Sequence, residues 1–168
     1  TSYTEAGVDL FGAAIPSLED LKRLCIMVHS SESNRIAFTE DVEKHLGNSL
    51  AAGIGKVILG QYKDALDLLK KGPASPAKFL YQAYANRGVG EFDKALVALE
   101  EAGKHGLDSL DVTLEKTAAL RQAGRLDEAE TELKKCGNFH GVNADYHLQC
   151  GKLDDARGDY EAAMDEYT

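Results

Sequence analysis

The sequence predicts an all-α fold, an array of antiparallel helix hairpins. Two observations carry that expectation: a short motif that recurs four times, and apolar residues spaced three and four apart after its copies. The copies are Gly60-Gln61-Tyr62-Lys63-Asp64-Ala65-Leu66, Gly90-Glu91-Phe92-Asp93-Lys94-Ala95-Leu96, Gly124-Arg125-Leu126-Asp127-Glu128-Ala129-Glu130 and Gly158-Asp159-Tyr160-Glu161-Ala162-Ala163-Met164. Each reads Gly, any residue, a large apolar residue, two mostly charged residues, Ala. The glycines fall 30, 34 and 34 residues apart. Glycine adopts the left-handed conformation that ends one helix and redirects the chain, so each copy marks a turn between helices. The Ala keeps one face small enough for two helix axes to approach.

Residues 1–47 are expected to form N-terminal helices, a degenerate repeat or a cap. Pro16-Ser17-Leu18-Glu19-Asp20 reads as a helix start capped by Ser17, with Leu18, Leu21, Leu24, Cys25 and Val28 on one face. The polar run Ser30-Ser31-Glu32-Ser33-Asn34 is expected to be a loop, followed by a helix from Ile36 to Leu46. Residues 48–168 then divide into four hairpins, the last incomplete. The first runs Leu50 to Leu59, turns at Gly60 and continues through Ala65, Leu66 and Leu69 to the Gly72-Pro73-Ala74-Ser75-Pro76 connector. After Gly90 the second continues through Ala95, Leu96, Leu99 and Ala102 to a break at Gly106. The third starts with Asp108, Ser109 or Asp111 as cap, runs Val112 to Ala123, turns at Gly124 and continues through Ala129, Leu133 and Cys136, with Gly141 as its break. Asn143 is the expected cap of the fourth, which runs Ala144 to Arg157 and turns at Gly158. A hairpin of this kind cannot bury both faces alone, so the units must stack.

From about Asn48 to the C-terminus these residues resemble the tetratricopeptide repeat family. The small residue in the first helix (Gly53, Gly151), the turn Gly, the aromatic or Leu two residues later and the Ala after it occupy that family's signature positions. Thr117 replaces the small residue in the third unit. In the second unit Leu80, Ala83 and Tyr84 match better if Gly88 ends the helix, which implies a turn two residues longer. The resemblance implies a right-handed superhelical solenoid and a non-catalytic scaffold for protein–protein contact, with a concave groove lined by the first helix of each unit. By register the groove takes Leu50, Ile54 and Val57, then Lys78, Gln82 and Asn86, then Leu114, Ala118, Arg121 and Gln122, then Leu148, Lys152 and Asp155. Family members that hold chaperone tails use a Lys, Asn and Arg clamp in the groove. The matching positions here are Leu50, Ile54, Asp111 and Glu115, so an acidic tail is not the expected ligand. A full last repeat would run about nine residues past Thr168, which places the chain inside a longer array or makes it a truncated piece. The layout is also similar to the N-terminal repeat arm of certain bacterial proteins that end in a domain like the C-terminal domain of the RNA polymerase alpha subunit. The alternative function is therefore service as the arm of a larger, transcription-related polypeptide, or self-assembly into a homo-oligomer.

Charge narrows the partners. The 168 residues carry 19 basic and 28 acidic side chains, a net of −9. Up to Tyr84 the balance is 9 basic to 10 acidic, and from Ala85 onward 10 to 18, so the C-terminal half is the acidic half. That excludes direct binding to a phosphate backbone and favours a protein or peptide that is basic or apolar. No stretch approaches the roughly 20 apolar residues of a membrane span. An odd, sparse set of cysteines (Cys25, Cys136, Cys150) suits a reducing cytoplasmic setting better than a secreted disulfide framework. The opening at Thr1 instead of Met suggests a processed or excised chain, which leaves room for the loss of a targeting segment.

Chemical motifs are outweighed by plainer readings. Cys136, His140, His147 and Cys150 contain the ligand types of a zinc site, but both cysteines fall where the repeat wants a small buried residue. Cys25 and His29 lie one helical turn apart, as a thiolate–imidazole pair would, yet they also read as a core thiol and a His near a helix C-terminus. Gly53-Ile54-Gly55-Lys56-Val57 lacks the strand and the Ser or Thr of a phosphate loop, so its glycines are expected at close helix contacts. No cofactor, metal or catalytic residue is expected.

Overall fold

The computed structural model describes residues 3–136 and 144–166, with side chains in all of these except 144, 145 and 160–166. Every regular element among them is helical. A 3-10 turn (Tyr3–Ala6) precedes α1 (Leu18–Val28), α2 (Glu32–Lys44), α3 (Ser49–Ile58), α4 (Tyr62–Lys71), α5 (Pro76–Gly88), α6 (Phe92–Lys104), α7 (Ser109–Gln122), α8 (Leu126–Lys134) and α9 (Ala144–Glu166). From α2 to α9 each helix packs on the next in sequence, and α3 also meets α5 as α7 meets α9.

One turn is built three times. Gly60, Gly90 and Gly124 have φ of 78°, 81° and 76°, a region closed to most side chains. Around each, the glycine N–H donates to a carbonyl three residues back, and the next N–H to one five back. The pairs are Val57 and Lys56, Arg87 and Asn86, and Arg121 and Leu120. This satisfies the carbonyls that a helix end leaves open. The new helix starts at once: the amides of Ala65, Ala95 and Ala129 donate to the carbonyls of Gln61, Glu91 and Arg125. All three alanines are fully buried.

The second turn is therefore no longer than the others, because α5 ends at Gly88 just as α3 ends at Ile58, two residues before the left-handed glycine. Gly88 has another task. A Cβ there would stand 2.3 Å from Cδ2 of Tyr62, so the missing side chain makes room for that ring. Gly53 and Gly55 act likewise at helix contacts: a Cβ on Gly55 would lie 2.6 Å from Cγ2 of Val42.

Two expected boundaries shift. Residues 32–34 belong to α2 and not to a loop, since Ser31 Oγ accepts the Asn34 amide as an N-cap. Asn34 is buried, and its side-chain amide donates to the Met27 carbonyl and to Ser30 Oγ, which fixes the turn from α1. The larger change is at Gly158. Here α9 runs unbroken from Ala144 to Glu166, so the fourth segment is one helix and not a hairpin. Glycine permits a turn without forcing one. Continuing the helix keeps every backbone bond, which a reversal would have to offset by new packing. Asp108 is the cap of α7, its side chain accepting the Leu110 amide. The expected cap Asn143, the break at Gly141 and His140 lie outside the described residues.

The core follows the helices in three clusters. The first joins Tyr3, Val8 and Leu10 of the N-terminal segment with Leu21, Leu24 and Val28 of α1, Phe38 and Val42 of α2, and the apolar face of α3 and α4. It extends to Tyr81 and Ala85 of α5, and Leu18 of α1 touches the second cluster around Leu80 and Leu99. The N-terminal helices thus span two hairpins. The third cluster closes α7 on α8 and α9 through Leu114, Leu133 and Leu153. Lys56 is buried in α3 and donates to Gln61 at 2.8 Å and to Glu43 of α2 at 2.5 Å, so its charge is matched.

Candidate functional site

The first helices α3, α5 and α7 hold most of the residues assigned to a groove, and burial sorts them. Leu50 and Ile54 are buried in the same cluster as Leu21, Leu24 and Val28 of α1, which removes them from any binding surface. Leu114 and Ala118 are buried in the packing of α7, and Asn86 is buried in α5. Lys78 is occupied: its ammonium donates to the carbonyls of Gly72 at 2.8 Å and Lys70 at 3.4 Å, capping the end of α4. Gln82 is half-buried on α5. Leu148, Lys152 and Asp155 are exposed on α9. The structure brings together Val57 and Gln122.

Val57 and Gln122 line a cleft of about 340 Å3 with Tyr62, Tyr84, Arg87 and Gly88. Four helices meet there. Tyr62 arrives by the turn at Gly60 and lies in the space that Gly88 leaves. Arg87 is the hub: Nη1 donates to Glu115 at 2.9 Å and Nε to the Gln122 side-chain oxygen at 2.7 Å, and the guanidinium sits 5.8 Å from the Tyr84 ring centre. The Tyr84 hydroxyl donates to the other Glu115 oxygen at 3.0 Å. One carboxylate therefore holds both a phenol and a guanidinium across the α5–α7 contact. Beside it, Arg121 Nε is buried with no hydrogen-bond partner. Burial and then the Arg87 charge lower the Arg121 pKa.

Sequence reasoning missed Arg87, Tyr62 and Gly88, and saw Glu115 only as a departure from a clamp. Their shared signal is distance: Arg87 and Glu115 are 28 residues apart and Tyr84 and Glu115 are 31, close to one repeat. The same interval recurs nearby. Arg125 donates to Asp93 at 2.7 Å and Arg157 to Asp127 at 3.0 Å, and both aspartates stand three residues after a turn glycine.

Burial, then the Glu115 charge, pushes the Tyr84 phenol well above its ordinary range. Tyr81, ring to ring with it at 5.3 Å, is raised first by burial and then by Cys25 and Glu115. A folded-state pKa above the unfolded one gives stability that is complete below about pH 10, the ordinary phenol value, and falls as pH rises beyond it. The urea midpoint should drop between about pH 9 and about pH 11, and drop less in Tyr81→Phe/Tyr84→Phe. Equal drops in parent and variant would remove these phenols as the cause.

His29 Nε2 lies 2.7 Å from the Ile58 carbonyl oxygen, tying α1 to α3, and burial pushes the Cys25 thiol up, the reverse of an activated thiolate. Burial likewise raises Cys136, followed by Glu132 and Cys150. None of the three cysteines is in a disulfide. Among the described residues no group of three His, Cys, Asp or Glu is placed to hold a metal ion, and no helix is long and apolar enough to cross a membrane. No family model, curated protein or solved structure matches the chain.

Proposed function

We propose that the chain is a non-catalytic scaffold of the tetratricopeptide type, a right-handed superhelical solenoid with residues 1–47 as its cap, that holds a peptide of a partner protein on its first helices. The observation that carries this reading is the cleft between α3, α5 and α7, with the unpartnered Arg121 donor beside it. Tyr62, Tyr84 and Val57 offer an apolar and aromatic wall, while Arg87, Arg121 and Gln122 offer donors. That combination suits a peptide presenting an apolar side chain next to a backbone carbonyl or carboxylate. Three thiols outside any disulfide fit a reducing, cytoplasmic setting.

Selection of displayed random peptides on the immobilised protein, followed by anisotropy titration, tests the site. Arg121→Ala/Gln122→Ala should weaken the selected peptides roughly tenfold or more, and melt near the parent temperature because neither side chain fills the core. Binding equal to the parent would move the site off this face.

A further inference from the structure

The hydrogen bonds that hold Arg87 are missing one unit later. Gly90 and Gly124 are left-handed turns 34 residues apart, and Arg87 and Arg121 each stand three residues before one of them. The same step of 34 leads from Glu115 to Gln149 and from Gln122 to Ala156. Across the α5–α7 contact Arg87 therefore finds a carboxylate and a carboxamide oxygen. At the equivalent places across the α7–α9 contact Arg121 is offered a neutral Gln and a side chain with no acceptor.

Both polar groups of that second set are left over. Arg121 Nε and Gln149 Oε1 are each sealed from solvent without a hydrogen-bond partner, so they do not bond to one another. Among the described residues Arg121 has no ion pair either. Its side chain as a whole is half-buried, which leaves the guanidinium open to a group arriving from outside. The charge that acts on it is the Arg87 guanidinium, and Glu115 already serves Arg87 and the Tyr84 hydroxyl. Two guanidiniums thus stand beside one committed carboxylate. A partly desolvated donor without an acceptor destabilises the free protein, and a carboxylate is the acceptor that binds a guanidinium most strongly.

We infer that Arg121 receives a carboxylate of the partner peptide, which stands in for the Glu115 that this unit lacks. The inference rests on the reading of the first helices as a peptide-holding face, and it gives that peptide its chemistry: one carboxylate, on a side chain or at the chain end, in an otherwise neutral stretch. A run of acids is disfavoured by the net −9 of the chain. Gln149 joins as a donor once its carboxamide rotates to present the NH2 group.

Gln149→Glu tests this by restoring from within what the partner supplies. The variant should melt at or above the parent temperature, since the new carboxylate meets Arg121 as Glu115 meets Arg87. Sodium acetate, with sodium chloride at equal ionic strength as control, should shift the Arg121 Nε–Hε resonance of the whole chain saturably in the parent and not in the variant. Peptides selected on the parent should carry a carboxylate and bind Gln149→Glu roughly tenfold or more weakly, and amidated against free-ended forms tell a side chain from a chain end. A lower melting temperature in Gln149→Glu is the mark of a buried carboxylate without a partner and would overturn the equivalence of Gln149 with Glu115. An acetate shift no larger than that of chloride, or selected peptides that bind parent and variant equally, would overturn the carboxylate site and leave the peptide-holding face in place. If no peptide is selected, that face falls, and saturable acetate binding lost in Gln149→Glu still upholds the site.

Discussion

Ala95→Arg is expected to unfold the stack around α5 and α6. Ala95 is fully buried among Leu80, Ala83, Leu99 and Ala102, in a cluster that also receives Leu18 from α1. An Arg there must either push the helices apart or leave an unpaired guanidinium in an apolar contact. Overpacking alone costs about 1–3 kcal/mol, and a buried charge without a partner adds several more. A loss above about 4 kcal/mol is a large share of the stability of any domain. Circular dichroism should show a melt at much lower temperature or none, and a midpoint like the parent's would refute the packing of α6 through this alanine.

Gly53→Val is expected to cost about 2–4 kcal/mol, and Gly151→Ala to cost nothing or to stabilise by up to about 1 kcal/mol. Both glycines stand seven residues before a motif glycine, so sequence alone treats them alike. Their surroundings differ. A Cβ on Gly53 would lie 2.8 Å from Cγ and Cδ2 of Leu69 and 3.1 Å from its backbone nitrogen, and that backbone belongs to α4 and cannot step aside. Among the described residues nothing comes within 4 Å of a Cβ on Gly151, and α9 continues straight through Gly158. On Gly151 an added methyl meets only water and gains helix propensity. Urea titration of the two variants reads the difference, and a shared sign would contradict the single-helix form of α9.

The part of the fold written in the sequence is the part set by local chemistry repeated at a fixed interval. Gly60, Gly90 and Gly124 each end a helix by backbone geometry, and the following Ala starts the next, so three turns follow from short strings of residues. The string at Gly158 is as good locally and gives no turn, because a reversal is stabilised by what the returning helix packs against. Gly88 was legible as a helix end and not as a seat for Tyr62, 26 positions earlier. The same limit governs the candidate site. Register placed Val57 and Gln122 at the cleft, but it could not show that Leu50 and Ile54 are buried in the first core cluster, nor that Lys78 caps α4. Polar composition hid the start of α2, where Ser31 as a cap outweighs the loop-like character of its neighbours.

The pairs Arg87–Glu115, Arg125–Asp93 and Arg157–Asp127 give the array an unequal resistance to local opening. Each ties a unit to its neighbour and reaches no farther, so energy is shared between adjacent units as in a one-dimensional chain. The N-terminal end is different, because Leu18 reaches the second cluster and the first cluster extends to Tyr81, clamping two hairpins at once. Fluctuations should begin at α9 and lose amplitude toward α3, which leaves the acidic end compliant and the aromatic cleft on a stiff base.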